Sequence, residues 1–185
     1  MVGSSPFKSL IEFYIERVTP FEAGVMRHCF TLRNFRWLTW LLTTVSRLGD
    51  GWLWIATGFF LLAMADPHTN RTVLAAALAV TISALLFMAA KHLVGRPRPF
   101  EAWQGLNCLM APPDKFSFPS GHTMTAFSVW GALAIGLPLL AKIYLVIAIL
   151  IGFSRVFLGL HYPTDVLVGA LLGGCIGLGI AALIL

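Results

Sequence analysis

The chain has 185 residues, 58% of them hydrophobic, with a mean hydropathy of +0.82. Only 11% are Asp, Glu, Lys or Arg, against roughly 25% in a soluble domain. That excludes a disordered chain and argues against a soluble monomer, and the length holds about six spans of about 20 residues each.

Residues 1–36 are the most polar stretch. Ser5-Pro6 reads as an N-cap followed by proline at the first helical position. Phe7, Leu10, Ile11, Tyr14, Ile15 and Val18 then form one apolar helical stripe, with Lys8, Glu12, Glu16 and Arg17 off it. The pattern predicts an amphipathic helix, either lying in the membrane interface or packed in the ordinary way. Charges interrupt the would-be apolar core, which argues against a signal peptide.

Apolar runs follow at 37–46, 51–65, 72–90, 119–137, 143–154 and 166–185. Each is short of charge, and Lys142 and Arg155 can snorkel at the ends of the fifth. These runs predict an all-α integral membrane protein. About six transmembrane helices form one bundle, 37–185, preceded by the amphipathic segment 1–36, and 1–185 is a single domain. Six spans put the 3–4 loop and the 5–6 loop on the same side. With the N-terminus inside, Lys8, Arg17, Arg27, Arg33, Arg36, Arg71 and Lys142 lie inside. Arg47, Lys91, Arg96, Arg98, Lys115 and Arg155 lie outside. Most of the second set have another use below, so the count favours N-inside and places the two loops on the periplasmic or exterior face of a bacterial inner membrane.

The formal charge is +5. The basic residues are scattered between apolar segments, which is not a nucleic-acid surface. They suit anionic lipid or an anionic substrate. Cys29, Cys108 and Cys175 form no metal spacing, and an odd number cannot all pair.

Charge at a membrane edge is costly and marks function. Lys91-His92-Leu93-Val94-Gly95-Arg96-Pro97-Arg98-Pro99 closes the third run, where Gly95 and the prolines end a helix. Lys91 and Arg98 are then two fixed cations. The plainer reading is a basic anchor. Phe118-Pro119-Ser120-Gly121-His122-Thr123 opens the fourth run. A helix N-terminus with Gly121 next to the cap suits an anion, and His122 can change protonation. The plainer reading is a serine cap. In Ser154-Arg155…His161-Tyr162-Pro163-Thr164-Asp165, an Asp four residues beyond a His can orient the imidazole, which leaves the other nitrogen as base or nucleophile. Arg155 supplies a planar fork for phosphate oxygens. No carboxylate cluster offers a metal site.

Together these read K-x6-R-P, P-S-G-H and S-R-x5-H-x3-D, in order. The chain thereby resembles the type-2 phosphatidic acid phosphatase superfamily, which shares its site with vanadium haloperoxidases. The resemblance implies a membrane lipid phosphatase. In it His161 is the nucleophile that forms a phosphohistidine, Asp165 its orienting partner and His122 the general acid. Lys91, Arg98, Ser120, Gly121 and Arg155 bind the phosphate, with no metal and no cofactor. The implied substrates are phospholipid or polyprenyl phosphates such as undecaprenyl diphosphate, phosphatidylglycerol phosphate or phosphatidic acid, with lipid A as a further candidate. Nucleic acid is not a partner, and the oligomeric state is left open. A phosphotransferase sharing the intermediate, or a non-catalytic lipid-binding or transport protein, stay open as alternatives. Arg96 is expected in solvent or on a second phosphate, and Asp50 in a turn. Asp114 and Lys115 are expected at the pocket mouth. Trp37, Trp40, Trp52, Trp54 and Trp103 are expected in an interfacial belt.

Overall fold

The computed structural model describes residues 19–102 and 108–185. The amphipathic stripe at 7–18 and Trp103 lie outside them. The described residues form α1 (Thr19–Thr31), a 3-10 turn (Leu32–Asn34), α2 (Arg36–Leu48), α3 (Trp52–Ala63), α4 (Pro67–Val94), α5 (Pro99–Ala102), α6 (Gly121–Gly136), α7 (Pro138–Phe157) and α8 (Pro163–Ile184). Each of the six apolar runs falls on one of these helices.

The boundaries follow local chemistry. Asp66 caps α4, its carboxylate accepting from the Thr69 amide at 2.8 Å, with Pro67 at the first helical position. Gly95 ends α4 in the left-handed region, φ 62°, with its amide bonded to the Lys91 carbonyl. Pro138 and Pro163 open α7 and α8. The third apolar run thus gains a turn at each end, because both flanking turns are capped.

α4, α7 and α8 are long and apolar enough to cross a membrane. At 1.5 Å per residue, α6 is about 24 Å long, and α2 and α3 about 18–20 Å. The protein is an integral membrane protein whose outside is more apolar than a water-facing surface. Leu93 is 85% exposed, Leu183 83% and Trp52 77%.

α6 is the central helix, packed on α8, α4 and α7, while α2 lies on α7 and α3 on α4. Small residues permit that closeness, as in membrane helix pairs generally. Gly169, Gly173 and Gly177 form one ridge of α8. A methyl at Gly173 would run into the Met124 carbonyl and one at Gly177 into the Ser128 carbonyl. Ser128 donates to the Met124 carbonyl at 2.7 Å and accepts from Ser83 of α4 at 2.6 Å. Such interhelical bonds average about 0.6 kcal/mol in a bilayer.

His68, at the start of α4, bonds the Gly136 carbonyl at the end of α6. The helices therefore alternate in direction. α2, α4 and α7 end where α3, α6 and α8 begin, and all three motifs meet at that end. α1 was not anticipated from sequence. Its Glu22, Met26 and Cys29 are buried on one face, against α7 and α8.

Candidate active site

A cavity of about 690 Å³ opens at this end, lined among others by Asp50, Trp54, Lys91, Asp114, Gly121, His122, Arg155 and His161. Residues from all three motifs therefore face one space. Arg98, Ser120 and Asp165 stand behind the lining, each fully buried. A second, apolar cavity of about 380 Å³ lies between α3, α4 and α6 and shares Trp54, Ile55 and Val80 with the first.

His161 sits in the short connection from α7 to α8, 1% exposed. Its Nδ1 lies 2.6 Å from the Ser117 carbonyl. A carbonyl only accepts, so Nδ1 carries the proton and Nε2 keeps its lone pair. Nε2 is 3.5 Å from a guanidinium nitrogen of Arg98. Burial, followed by the charges of Arg155 and Arg98, outweighs the attraction of Asp165 and lowers the His161 pKa from 6.5 to about 3. The imidazole is neutral at ordinary pH.

Asp165 faces the same ring nitrogen, Nδ1, at ion-pair distance, behind a nearer partner. Its Oδ2 is 3.6 Å from Nδ1 of His161, beyond hydrogen-bond length, and the Ser117 carbonyl is the nearer partner. Asp165 instead accepts from the Tyr162 amide at 2.9 Å and from Arg96 at 2.5 Å. Arg96 is accordingly neither in solvent nor free for a second phosphate. Its guanidinium spans Asp165 and Glu22, with the Glu22 contact at 2.6 Å.

Lys91 donates to the Phe116 carbonyl at 2.9 Å and to Asp114 Oδ1 at 2.8 Å. Arg98 donates to the same Oδ1 at 2.7 Å, to the Leu160 carbonyl at 2.7 Å and to the Asp114 carbonyl at 3.0 Å. Burial alone would raise the Asp114 carboxyl, but its bonds and attraction to Lys91 and Arg98 win and hold it below the ordinary carboxylate value. Arg155, 1% exposed, donates to Ser46 of α2 at 2.5 Å. Its Nε has no partner among the described residues, a costly state for a buried donor.

Ser120 takes the N-cap position of α6, but its hydroxyl pairs with Thr123 at 2.9 Å and caps no backbone amide. Gly121 lines the cavity, and a Cβ there would press on the Phe87 ring at 3.2 Å. His122 Nε2 lies 2.7 Å from Asp50 Oδ1. Asp50 is therefore more than a turn residue, and Asp114 lines the cavity with its side chain 38% exposed, as the mouth position requires. Trp37, Trp40 and Trp52 are exposed as a belt requires, whereas Trp54 is half-buried beside Tyr144 and lines the cavity. Ser46 and Ser117 had no sequence signal, because one lies within an apolar run and the other acts through its carbonyl. Among the described residues no three His, Cys, Asp or Glu side chains group as metal ligands.

Residues 72–184 match the family model described as PAP2 superfamily. The chain is 36% identical over 138 residues to decaprenylphosphoryl-5-phosphoribose phosphatase of Mycobacterium tuberculosis, covering 72% of this chain and 73% of that one. It is 29% identical over 140 residues to undecaprenyl-diphosphatase of Sulfolobus acidocaldarius, covering 75% and 67%. The crystal structure of a transmembrane PAP2-type phosphatidylglycerolphosphate phosphatase from Bacillus subtilis superposes with a TM-score of 0.77 at 28% identity, over 94% of this chain and 89% of that one.

Proposed function

The chain belongs to the PAP2 superfamily, and from that premise we propose that it hydrolyses the phosphate or diphosphate ester of a membrane lipid through a phosphohistidine on His161. The substrates named for its relatives share a phosphate carried on a lipid tail. That class is the one proposed here.

The carrying observation is the neutral His161 whose unprotonated Nε2 stands beside the buried Arg98, with the buried Arg155 lining the same cavity. A neutral nucleophile next to fixed positive charge suits attack on a phosphate anion. The phosphate sits among Lys91, Arg98, Arg155 and the start of α6 at Ser120-Gly121, and the Arg155 Nε–H gains the acceptor it lacks. Nε2 attacks phosphorus, the P–O bond to the leaving group breaks, and His122, protonated on both nitrogens for this step, gives that oxygen a proton and is left as neutral imidazole. In the phosphate-free site the His122 Nε2–H faces Asp50, and the leaving oxygen takes the place of Asp50 as acceptor. Water then attacks phosphorus, the P–N bond breaks, and the water proton passes to His122. Asp165 stabilises the imidazolium-like intermediate from behind.

The layout belongs to the same reading. The six apolar runs, each on a helix, make six spans in one domain, with the site at the end reached by Arg47, Lys91 and Arg155. The basic residues left over, at the other end, favour a site facing away from the cytoplasm.

The test is phosphate release by detergent-purified protein in excess EDTA. Phosphatidic acid, phosphatidylglycerol phosphate and undecaprenyl diphosphate are offered in parallel. The parent releases phosphate from at least one, and His161→Ala loses the activity by more than about 10³-fold. Equal rates in the two proteins would remove His161 from the reaction.

A further inference from the structure

We propose that Arg96, braced by Glu22, is a positioning residue of this reaction, holding Asp165 and the connection that carries His161 in the reactive geometry. The inference rests on the reading of His161 as nucleophile.

The network is built from buried groups. The Glu22 side chain is fully buried and that of Arg96 is 14% exposed. One nitrogen of the Arg96 fork donates to Asp165 Oδ1 at 2.5 Å and to the Thr164 hydroxyl at 2.9 Å. The other donates to Glu22 Oε2 at 2.6 Å. Glu22 Oε1 accepts from the Thr164 amide at 3.0 Å and from the Thr164 hydroxyl. The guanidinium also lies 3.6 Å over the Tyr162 ring. Residues 162, 164 and 165 are thus gripped by one carboxylate–guanidinium unit immediately after His161.

Neither Arg96 nor Glu22 lines the cavity, so their effect on the reaction is indirect, through the groups that hold His161. The route is visible. Nδ1 of His161 has two acceptors to choose from, the Ser117 carbonyl at 2.6 Å and Asp165 Oδ2 at 3.6 Å. Arg96 neutralises Asp165 and fixes its distance. Without Arg96, Asp165 is a buried anion with one cation fewer, and it draws the Nδ1 proton from Ser117. The ring then rotates and Nε2 leaves the line of attack. A planar fork reaches two carboxylates at once, whereas an ammonium is a point charge. Arg96→Lys therefore restores part of the function, and Arg96→Met restores none.

The experiment uses the full chain in detergent, with kcat, KM and inhibition by inorganic phosphate measured for the parent, Arg96→Lys, Arg96→Met, Glu22→Gln, Asp165→Asn and the Arg96→Met/Asp165→Asn double variant. Arg96→Met is expected to lower kcat about 10²-fold, the order that follows a misplacement of about 1 Å. KM and phosphate inhibition stay at the parent values, and Arg96→Lys falls between. The double variant is no slower than Asp165→Asn alone, because the two residues act as one unit. If Arg96→Met does not fold, Glu22→Gln, nearly isosteric, carries the test with a smaller loss of kcat. Parent-like kcat in folded Arg96 and Glu22 variants, or a full additive loss in the double variant, overturns the inference. His161→Ala in the same assay separates the two failures. If it is inactive while the Arg96 and Glu22 variants are normal, only this inference falls. If it is active, the reading beneath it falls.

Discussion

Asp114 stands among the cations proposed to hold the substrate, one of its oxygens shared by Lys91 and Arg98. It keeps those cations neutralised and in place while no phosphate is bound. It also opposes an entering dianion. A unit charge a few ångströms from a phosphate is felt strongly at an effective dielectric constant near 20. Asp114→Asn is therefore expected to tighten product inhibition by inorganic phosphate about tenfold, read as a lower inhibition constant. Weaker inhibition would mean that Asp114 chiefly aims Lys91 and Arg98. His161 gives a second expectation at this scale. Its ordinary pKa of 6.5 falls to about 3 in the folded protein, with burial the largest cause. Below about pH 6.5 the unfolded chain takes up a proton that the folded one refuses. The neutral imidazole therefore adds to stability above that pH, and stability is lost as pH falls towards about 3. From pH 7 to pH 5 the parent should lose more in Tm than His161→Asn, compared in one detergent. Equal losses would show that His161 titrates normally when folded.

Helices α6 and α8 carry or flank both histidines, and their spacing is set by glycine. Gly173 meets the Met124 backbone, which cannot move aside as a flexible side chain would. Gly173→Ala should lower Tm by several degrees and activity with it, since overpacking costs about 1–3 kcal/mol. Gly179, on the same helix, has nothing within 4 Å of an added methyl. Gly179→Ala should leave Tm unchanged or raise it, because alanine is the better helix former. A thermal melt of the pair in detergent decides the matter, and equal behaviour would mean that α6 and α8 are not packed this closely. The element that sequence reading missed, α1, shows the converse. It has no long apolar stripe, and its position depends on Glu22 meeting Arg96 and Thr164, residues far along the chain.

For the whole molecule, the alternation of helix direction places Asn70 and Lys115 at opposite ends, near the start of α4 and beside the site. In a version with Cys29, Cys108 and Cys175 replaced, an impermeant thiol reagent added to intact cells should label Lys115→Cys and spare Asn70→Cys. The reverse pattern would invert the protein, and labelling of both would break the six-span layout. The sequence by itself determined a great deal. The apolar runs, the capping residues Asp66 and Gly95 and the three ordered motifs are local signals, and local signals survive without a fold. They were enough to mark a helical membrane phosphatase and to nominate His161, His122, Arg155, Lys91 and Gly121, which the cavity gathers. Only the tertiary structure decided which carboxylate meets which cation. Asp50 joins His122, Asp114 joins Lys91 and Arg98, Glu22 and Asp165 share Arg96, and the Ser117 carbonyl accepts the His161 Nδ1–H. The physical reason is range. A buried charge takes its partner from whatever packing brings within about 3 Å, and between helices that partner has no fixed distance along the chain.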